Sequence, residues 1–403
     1  MGNRFNAIVG QSGGPTAAIN ATLAGVIRGA SRLGVRRLYG MENGVLGLLA
    51  DRLISLDHLY LLKDQLSALE LTPAAALGSC RFRLPDDFSD PVYKRVFAQL
   101  EKYNIGYFFY IGGNDSMDTA AKLHRYAKEN GYPVSVIGIP KTIDNDLVLT
   151  DHTPGYGSCA KYVATVAYEL ARDVCVYNAP SVTLLEVMGR EAGWIGCAAS
   201  LSRHYFGCGC DLVYLPEGGF NAERFLRDVE ACLGKKKTIL ACVSEGVNAM
   251  AEGHTVDAFG HKQLEGIGDI LSARVKKELG IKSRAVELGL TQRCASHIVS
   301  RTDIEESVRI GMSAVEYAVH GESGKMVAFA RRNGEYGVDI VTVDASAVAN
   351  AVKRVPREYI NAEGNFVTEK CIEYVSPLIM GEKNIEYVLG LPKHISLRRG
   401  GCV

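Results

Sequence analysis

Short apolar runs alternate with polar, glycine-rich bursts along most of this chain. Asn6–Gly10, Val35–Tyr39, Gly106–Gly112, Val134–Pro140, Ser181–Leu185, Asp211–Leu215, Thr238–Val243 and Lys282–Leu288 have the length and bounding turns of buried strands. Helical spacing lies between several of them. Ile19, Leu23, Val26, Ile27 and Ala30 make one face over Ala17–Ala30, with Thr16 as the expected N-cap. Pro91–Tyr103, Met117–Glu129, Ala160–Arg172, Asp269–Leu279 and Glu306–His320 read as further helices, the last capped from Thr302. Late in the chain, Lys325–Ala330 and Tyr336–Thr342 alternate like an antiparallel hairpin around Arg332-Asn333-Gly334. Gly40–Leu49 reads as a loop, Val343–Arg357 as loop then helix, and 358–403 as a helical and loop appendage. Strands alternating with helices predict α/β layers with mostly parallel sheets. Ligands in such sheets bind beyond the carboxyl ends of the strands.

The chain is organised around 104–146. There, two predicted strands flank one helix, and each runs into a dense polar motif. The first is Gly112-Gly113-Asn114-Asp115-Ser116; the second is Pro140-Lys141-Thr142-Ile143-Asp144-Asn145-Asp146. Glycines let a backbone approach phosphate oxygens, and a helix N-terminus offers free N–H donors. Asp115 and Asp118 also have a structural reason to stand there, since acids favour a helix start. Asp144 and Asp146, two residues apart in a polar loop, alternate into no core. Such a pair suits a general base with a raised pKa, or a bound Mg²⁺. Lys141 would offset phosphoryl charge. The whole suggests phosphoryl transfer.

Other strand ends carry weaker signals. Gln11-Ser12-Gly13-Gly14-Pro15-Thr16 is either a tight turn or a phosphate cradle. It is neither the nucleotide-triphosphatase loop nor the dinucleotide fingerprint. Arg81, after Gly78-Ser79-Cys80, is a surface arginine or an anion ligand. Arg190 follows a strand end, well placed for phosphate or carboxylate, and Ser244-Glu245-Gly246 closes another. Trp194, the sole tryptophan, is expected to pack a helix start rather than stack a substrate. Cys208-Gly209-Cys210 is too close for a zinc knuckle.

Composition narrows the partners. A length of 403 residues favours two domains over one. Forty-five basic residues against 45 acidic give no bulk attraction to nucleic acid. Eleven cysteines without regular spacing, and no signal peptide, suit reduced thiols and a cytoplasmic location. No uncharged apolar run is long enough to span a membrane.

Six ordered motifs over most of residues 5–310 resemble those of the 6-phosphofructokinases. They are the first turn, Gly78-Ser79-Cys80-Arg81, Gly112–Ser116, Pro140–Asp146, Met188-Gly189-Arg190 with Ser244-Glu245-Gly246, and Arg284 through Arg293. The resemblance implies two Rossmann-like, three-layer α/β domains with the active site between them. It implies transfer of a phosphoryl group to the 1-hydroxyl of fructose 6-phosphate, with Mg²⁺ as cofactor. Asp144 is then the base, with Thr142 and Asp146 flanking it at the sugar. Met188, Gly189, Arg190 and Glu245 match sugar-binding positions. Arg284 and Arg293 match arginines on the sugar phosphate or the transferred group. Gly13, Arg81, Gly113, Asn114 and Ser116 match donor-side positions. Pyrophosphate-using members resemble this chain at Asp115 and Lys141, where ATP-using members carry glycine. A carboxylate and an ammonium there would crowd out a nucleotide's α-phosphate. Pyrophosphate is therefore the expected donor and the transfer reversible.

One departure stands out. Asn114 replaces the family's first aspartate, usually a Mg²⁺ ligand, so Asn114 or Asp115 is the expected metal residue and Asp144 or Asp146 an alternative source of charge. This keeps open an ATP donor, another sugar, or a silent sugar-phosphate sensor, although the last should lack Asp144. Cys294-Ala295 stands where members often have two glycines, which leaves His297 without a role. The resemblance implies a donor domain of 1–150 with part of 300–357, a sugar-phosphate domain of 151–310, and a homodimer or homotetramer in which Arg284 reaches a neighbouring subunit.

Overall fold

The computed structural model describes residues 5–247 and 266–397, and between them only the strands Thr255–Val256 and Lys262–Gln263. Two sheets carry the architecture. The first contains β1 (Asn6–Gln11), β2 (Leu38–Met41), β3 (Leu53–Ser55), β4 (Ile105–Gly112) and β5 (Ser135–Pro140). The second contains β6 (Ser181–Val187), β7 (Leu212–Tyr214) and β8 (Thr238–Ser244). The strands Thr255–Val256 and Lys262–Gln263 are β9 and β10, a separate antiparallel pair. The second sheet is completed by β11 (Lys282–Glu287), and the first by β12 (Lys325–Arg331) and β13 (Val338–Asp344). The seven-stranded order is β13-β12-β5-β4-β1-β2-β3, and the four-stranded order is β11-β6-β8-β7. The second sheet is wholly parallel. The first is parallel through β2, β1, β4, β5 and β12, with antiparallel β3 and β13 at its edges.

Side-chain alternation explains the layers. Ala7, Val9, Phe109, Ile111, Ile137 and Ile139 face the helices Ile19–Arg32 and Arg301–Val319. Ile8, Phe108, Tyr110 and Val136 face the helices Pro91–Lys102 and Asn114–Asn130. Both faces are covered, so the strands read as unbroken apolar runs. The second sheet repeats this: Leu185, Val187, Leu240 and Cys242 pack on the helix Tyr156–Val174, and Val182, Leu184, Ile239 and Ala241 on the helices Ala222–Leu233 and Ile267–Arg274.

Several elements differ from the sequence reading. The stretch 40–49 holds a helix, Gly44–Leu49, and β3 follows. The helix before 320 starts earlier than expected: its cap is Ser300, not Thr302, with Ser300 Oγ accepting from Asp303 N at 3.3 Å. Thr16 does not cap Ile19–Arg32 directly, although its hydroxyl accepts from Ala18 N at 3.2 Å. Between β13 and Pro356 only Ala345–Val348 is helical, because Asn350 turns left-handed (φ 63) and Pro356 keeps the preceding residue extended. The segment read as an appendage contributes Ile360, Val367, Cys371, Ile372, Val375 and Leu378 to the second domain's core. The Gly- and His-containing stretch 260–268, whose sequence reads as a loop near the cleft mouth, lies largely outside the described residues.

The helices Ile19–Arg32 and Arg301–Val319 cross at glycine contacts. A Cβ on Gly25 would stand 2.1 Å from Val308 O, and one on Gly311 would stand 2.2 Å from Thr22 O. Backbone cannot yield as a side-chain tip can. Gly25→Ala is therefore expected to destabilise the protein by about 2–3 kcal/mol, measured by thermal unfolding. Gly234→Ala, with its nearest neighbour at 3.5 Å, should leave Tm unchanged.

Candidate active site

The carboxyl ends of β1, β4 and β5 in one sheet lie close to those of β6 and β8 in the other, near enough that Glu245 and Arg190 act on Asp144. The first turn and the 78–80 turn lock together there. Gly13 N donates to Cys80 O at 3.2 Å, and Ser79 Oγ donates to Gly13 O at 2.6 Å. Gly13 is left-handed (φ 77), and a Cβ on it would stand 3.2 Å from Lys141 Nζ. Only glycine meets both demands.

Lys141 extends from the end of β5 into this turn. It is buried, and its ammonium donates to Gly14 O at 2.6 Å. Burial pulls its pKa down to about 8, against the opposing pull of Asp144 and Asp146. Arg293 and Arg81 lie within electrostatic reach of it. Arg293 also stands beside Gly14, whose Cβ would be 3.4 Å from Nη1. Lys141, Arg81 and Arg293 thus form a cationic cluster around the first turn, which suits the oxygens of a short polyphosphate.

Asp144 and Asp146 follow on the same loop. Thr142 Oγ1 accepts from Asp144 N at 3.0 Å, and Thr153 Oγ1 donates to Thr142 O at 2.9 Å. Burial raises Asp144 to about 6, with Glu245 pushing the same way and Lys141 and Arg190 opposing. Burial, then the Asp144 charge, raises Asp146 to about 7. A carboxyl poised near neutrality suits proton transfer.

The opposite wall comes from β6 and β8. Gly189 (φ 123) turns the chain after Met188, Ser244 Oγ donates to Gly189 O at 2.7 Å, and Met188 N donates to Gln292 Oε1 at 3.2 Å. This turn brings Arg190 Nε to 3.3 Å from Glu245 Oε1. Burial raises the Glu245 pKa despite the arginine.

At the start of the helix Asn114–Asn130, Gly113 O accepts from Ser116 N at 3.0 Å, and Ser116 is buried. Asp115 is exposed at the rim, with Arg83 Nε at 3.6 Å. Asn114 Oδ1 is buried without a hydrogen-bond partner. Such an oxygen fits a hard cation, and Mg²⁺ commonly uses few protein ligands alongside substrate phosphates. Among the described residues no group of three or more His, Cys, Asp or Glu could hold a metal.

Lys141, Thr142, Asp144, Asp146, Arg190, Glu245 and Arg293 therefore converge with Gly13, Arg81 and the Gly113–Ser116 turn. Arg284 is exposed on the edge strand β11, and no hydrogen bond or ion pair joins it to the others among the described residues. His297 is likewise exposed, while Trp194 is buried at a helix start. The sequence reading missed Arg83, Asn145 and Lys353. Burial pulls the Lys353 amine down to about 7, with Asp151 and Asp146 opposing. No local motif marks it.

A family model described as phosphofructokinase matches residues 6–318. The chain is 38% identical to the pyrophosphate–fructose 6-phosphate 1-phosphotransferase of Halomonas elongata, over 98% of this chain and 97% of that one. It is 39% identical to the enzyme of that name from Methylococcus capsulatus, over 97% and 96%. The crystal structure of a pyrophosphate-dependent phosphofructokinase from Nitrosospira multiformis superposes with a TM-score of 0.87 at 37% identity, covering 97% of this chain and 95% of that one.

Proposed function

Because the chain belongs to the phosphofructokinase family, in its pyrophosphate-dependent branch, we propose that it moves a phosphoryl group reversibly from pyrophosphate to the 1-hydroxyl of fructose 6-phosphate. The products are fructose 1,6-bisphosphate and phosphate. The observation that carries this reading is Lys141, buried against Gly14 O at 2.6 Å and next to Asp144. An ammonium there leaves room for a short inorganic donor.

In the forward direction Asp144, as carboxylate, takes the proton of the 1-hydroxyl as its oxygen attacks the terminal phosphorus. The bond from that phosphorus to the bridging oxygen breaks, and phosphate leaves. Lys141, Arg81 and Arg293 offset charge on the phosphoryl oxygens, which are the main source of rate in such transfers. Glu245, Arg190 and the Met188-Gly189 backbone hold the sugar so that attack is in line. In reverse, protonated Asp144 returns the proton. Asn114 or Asp115 would hold Mg²⁺, which would supply charge to offset that of the pyrophosphate oxygens. Arg284 would serve a neighbouring subunit in a homodimer or homotetramer, an assembly that sedimentation would reveal.

The test is a purified-enzyme assay with fructose 6-phosphate and Mg²⁺, offering pyrophosphate or ATP. Turnover with pyrophosphate and at most trace turnover with ATP is expected. Turnover with ATP alone would reverse the donor.

A further inference from the structure

Lys353 approaches the Asp144–Asp146 loop from the far side of the chain. Its backbone N donates to Asp146 O at 2.7 Å. Its ammonium donates to Asn145 Oδ1 at 3.2 Å, Thr150 O at 3.2 Å and Asp151 O at 2.8 Å. The same nitrogen is 5.2 Å from the centroid of the Trp194 ring, and Trp194 Nε1 donates to Lys353 O at 2.8 Å. Lys353 is thereby fixed at the side chain and at both backbone groups.

Asn145 is the link to the chemistry. It is fully buried and left-handed, with φ 53. Asparagine adopts that conformation more readily than other side chains, and its amide can then be used to fix the turn in place. Here Oδ1 takes Lys353 and Thr153 N, the latter at 3.1 Å, and Nδ2 donates to Tyr374 Oη at 2.9 Å. The turn reverses the backbone between two carboxylates and so sets the direction of each. Burying an ammonium is costly, and a neutral donor could satisfy the same acceptors. The positive charge does more, because it also acts on Asp146.

We propose that Lys353 is a positioning residue for phosphoryl transfer: by gripping Asn145 it holds the left-handed turn that aims Asp144 at the sugar hydroxyl. Loss of the grip lets the base drift from its line of attack while both substrate pockets remain. The inference rests on pyrophosphate-dependent transfer by the unaltered enzyme, which is measured first. Inactivity there would overturn the proposed function; an active parent with an unaffected variant would overturn this inference alone.

Lys353→Met keeps the stem over Trp194 and removes the charge. It is expected to lower kcat about 10- to 100-fold, as small misplacements of a reacting group do, with KM for both substrates within about threefold. Lys353→Arg should recover part of the lost turnover. Asn145→Gly tolerates the left-handed turn yet removes Oδ1, and should show the same kcat loss. The double variant should lose no more than the worse single one, since both cut one link. A kcat for Lys353→Met within about twofold of the parent, an equal rise in KM, or additive losses in the double variant would each overturn the proposal. Should Lys353→Met fail to fold, Lys353→Arg and Asn145→Gly with their double variant run the same cycle.

Discussion

Replacing Asp144 by asparagine is expected to lower kcat in both directions by about a thousandfold, within the usual range for loss of a general base, while KM for fructose 6-phosphate and pyrophosphate changes little. Asparagine keeps the size of the side chain but can neither take nor return a proton. Steady-state kinetics in both directions measure this, and near-full turnover would refute the base. The pH dependence has a defined sign. Asp144 rises to about 6 and its neighbour Asp146 to about 7, and a coupled pair titrates as a unit. Forward kcat/KM should therefore fall as pH drops through 7 to 6, because the base becomes protonated. The reverse rate should instead fall as pH rises through that window, because the acid form is lost. Stability follows the same carboxyl. Between its ordinary 3.8 and about 6 the folded chain binds this proton more tightly than the unfolded chain. Rising pH through that interval therefore removes stability, and above it the charged form is a fixed cost of the folded state. Asp144→Asn is free of that cost and should melt higher than the parent at pH 8.

Converting Asp115 and Lys141 together to glycine is expected to cut pyrophosphate-dependent turnover by about two to three orders of magnitude, the usual toll for removing preorganised charge from a transfer site. Lys141 supplies most of that effect. Its ammonium bridges the first turn and the Asp144 loop, and its deletion leaves Gly14 O without its donor. Asp115, exposed at the rim beside Arg83, adds the electrostatic gate. With both gone, the space and the sign of charge favour a longer donor, and measurable transfer from ATP should emerge. Unchanged pyrophosphate kinetics would refute both roles.

The strands and the chemistry they deliver could be read from the sequence because both obey short-range rules. Two-residue alternation separates Phe109 and Ile111 from Phe108 and Tyr110, and each strand end exposes its own motif. Long-range partnerships left no such trace. Lys353 is held by carbonyls at 150 and 151, and nothing around it in sequence signals an ammonium-binding turn. Ile360 and Val367 enter the second core from irregular chain and Tyr374 from the two-turn helix Glu369–Val375, so no run is long enough for a period to be detected. Asn145 stands inside a recognised motif, yet the motif gives no sign of its role, because that depends on a φ angle and on Tyr374.

The strand order also bears on how the protein is made. β5 pairs on one side with β4, but on the other with β12, which follows the entire second sheet. During synthesis at roughly 5–20 residues per second, the edge of β5 waits on the order of ten seconds or more for its partner to leave the ribosome. In that interval an apolar strand edge is open to pairing with another nascent chain. Chaperone dependence and aggregation should therefore concentrate on chains truncated between β11 and β12, which carry a finished second sheet and an unclosed first one.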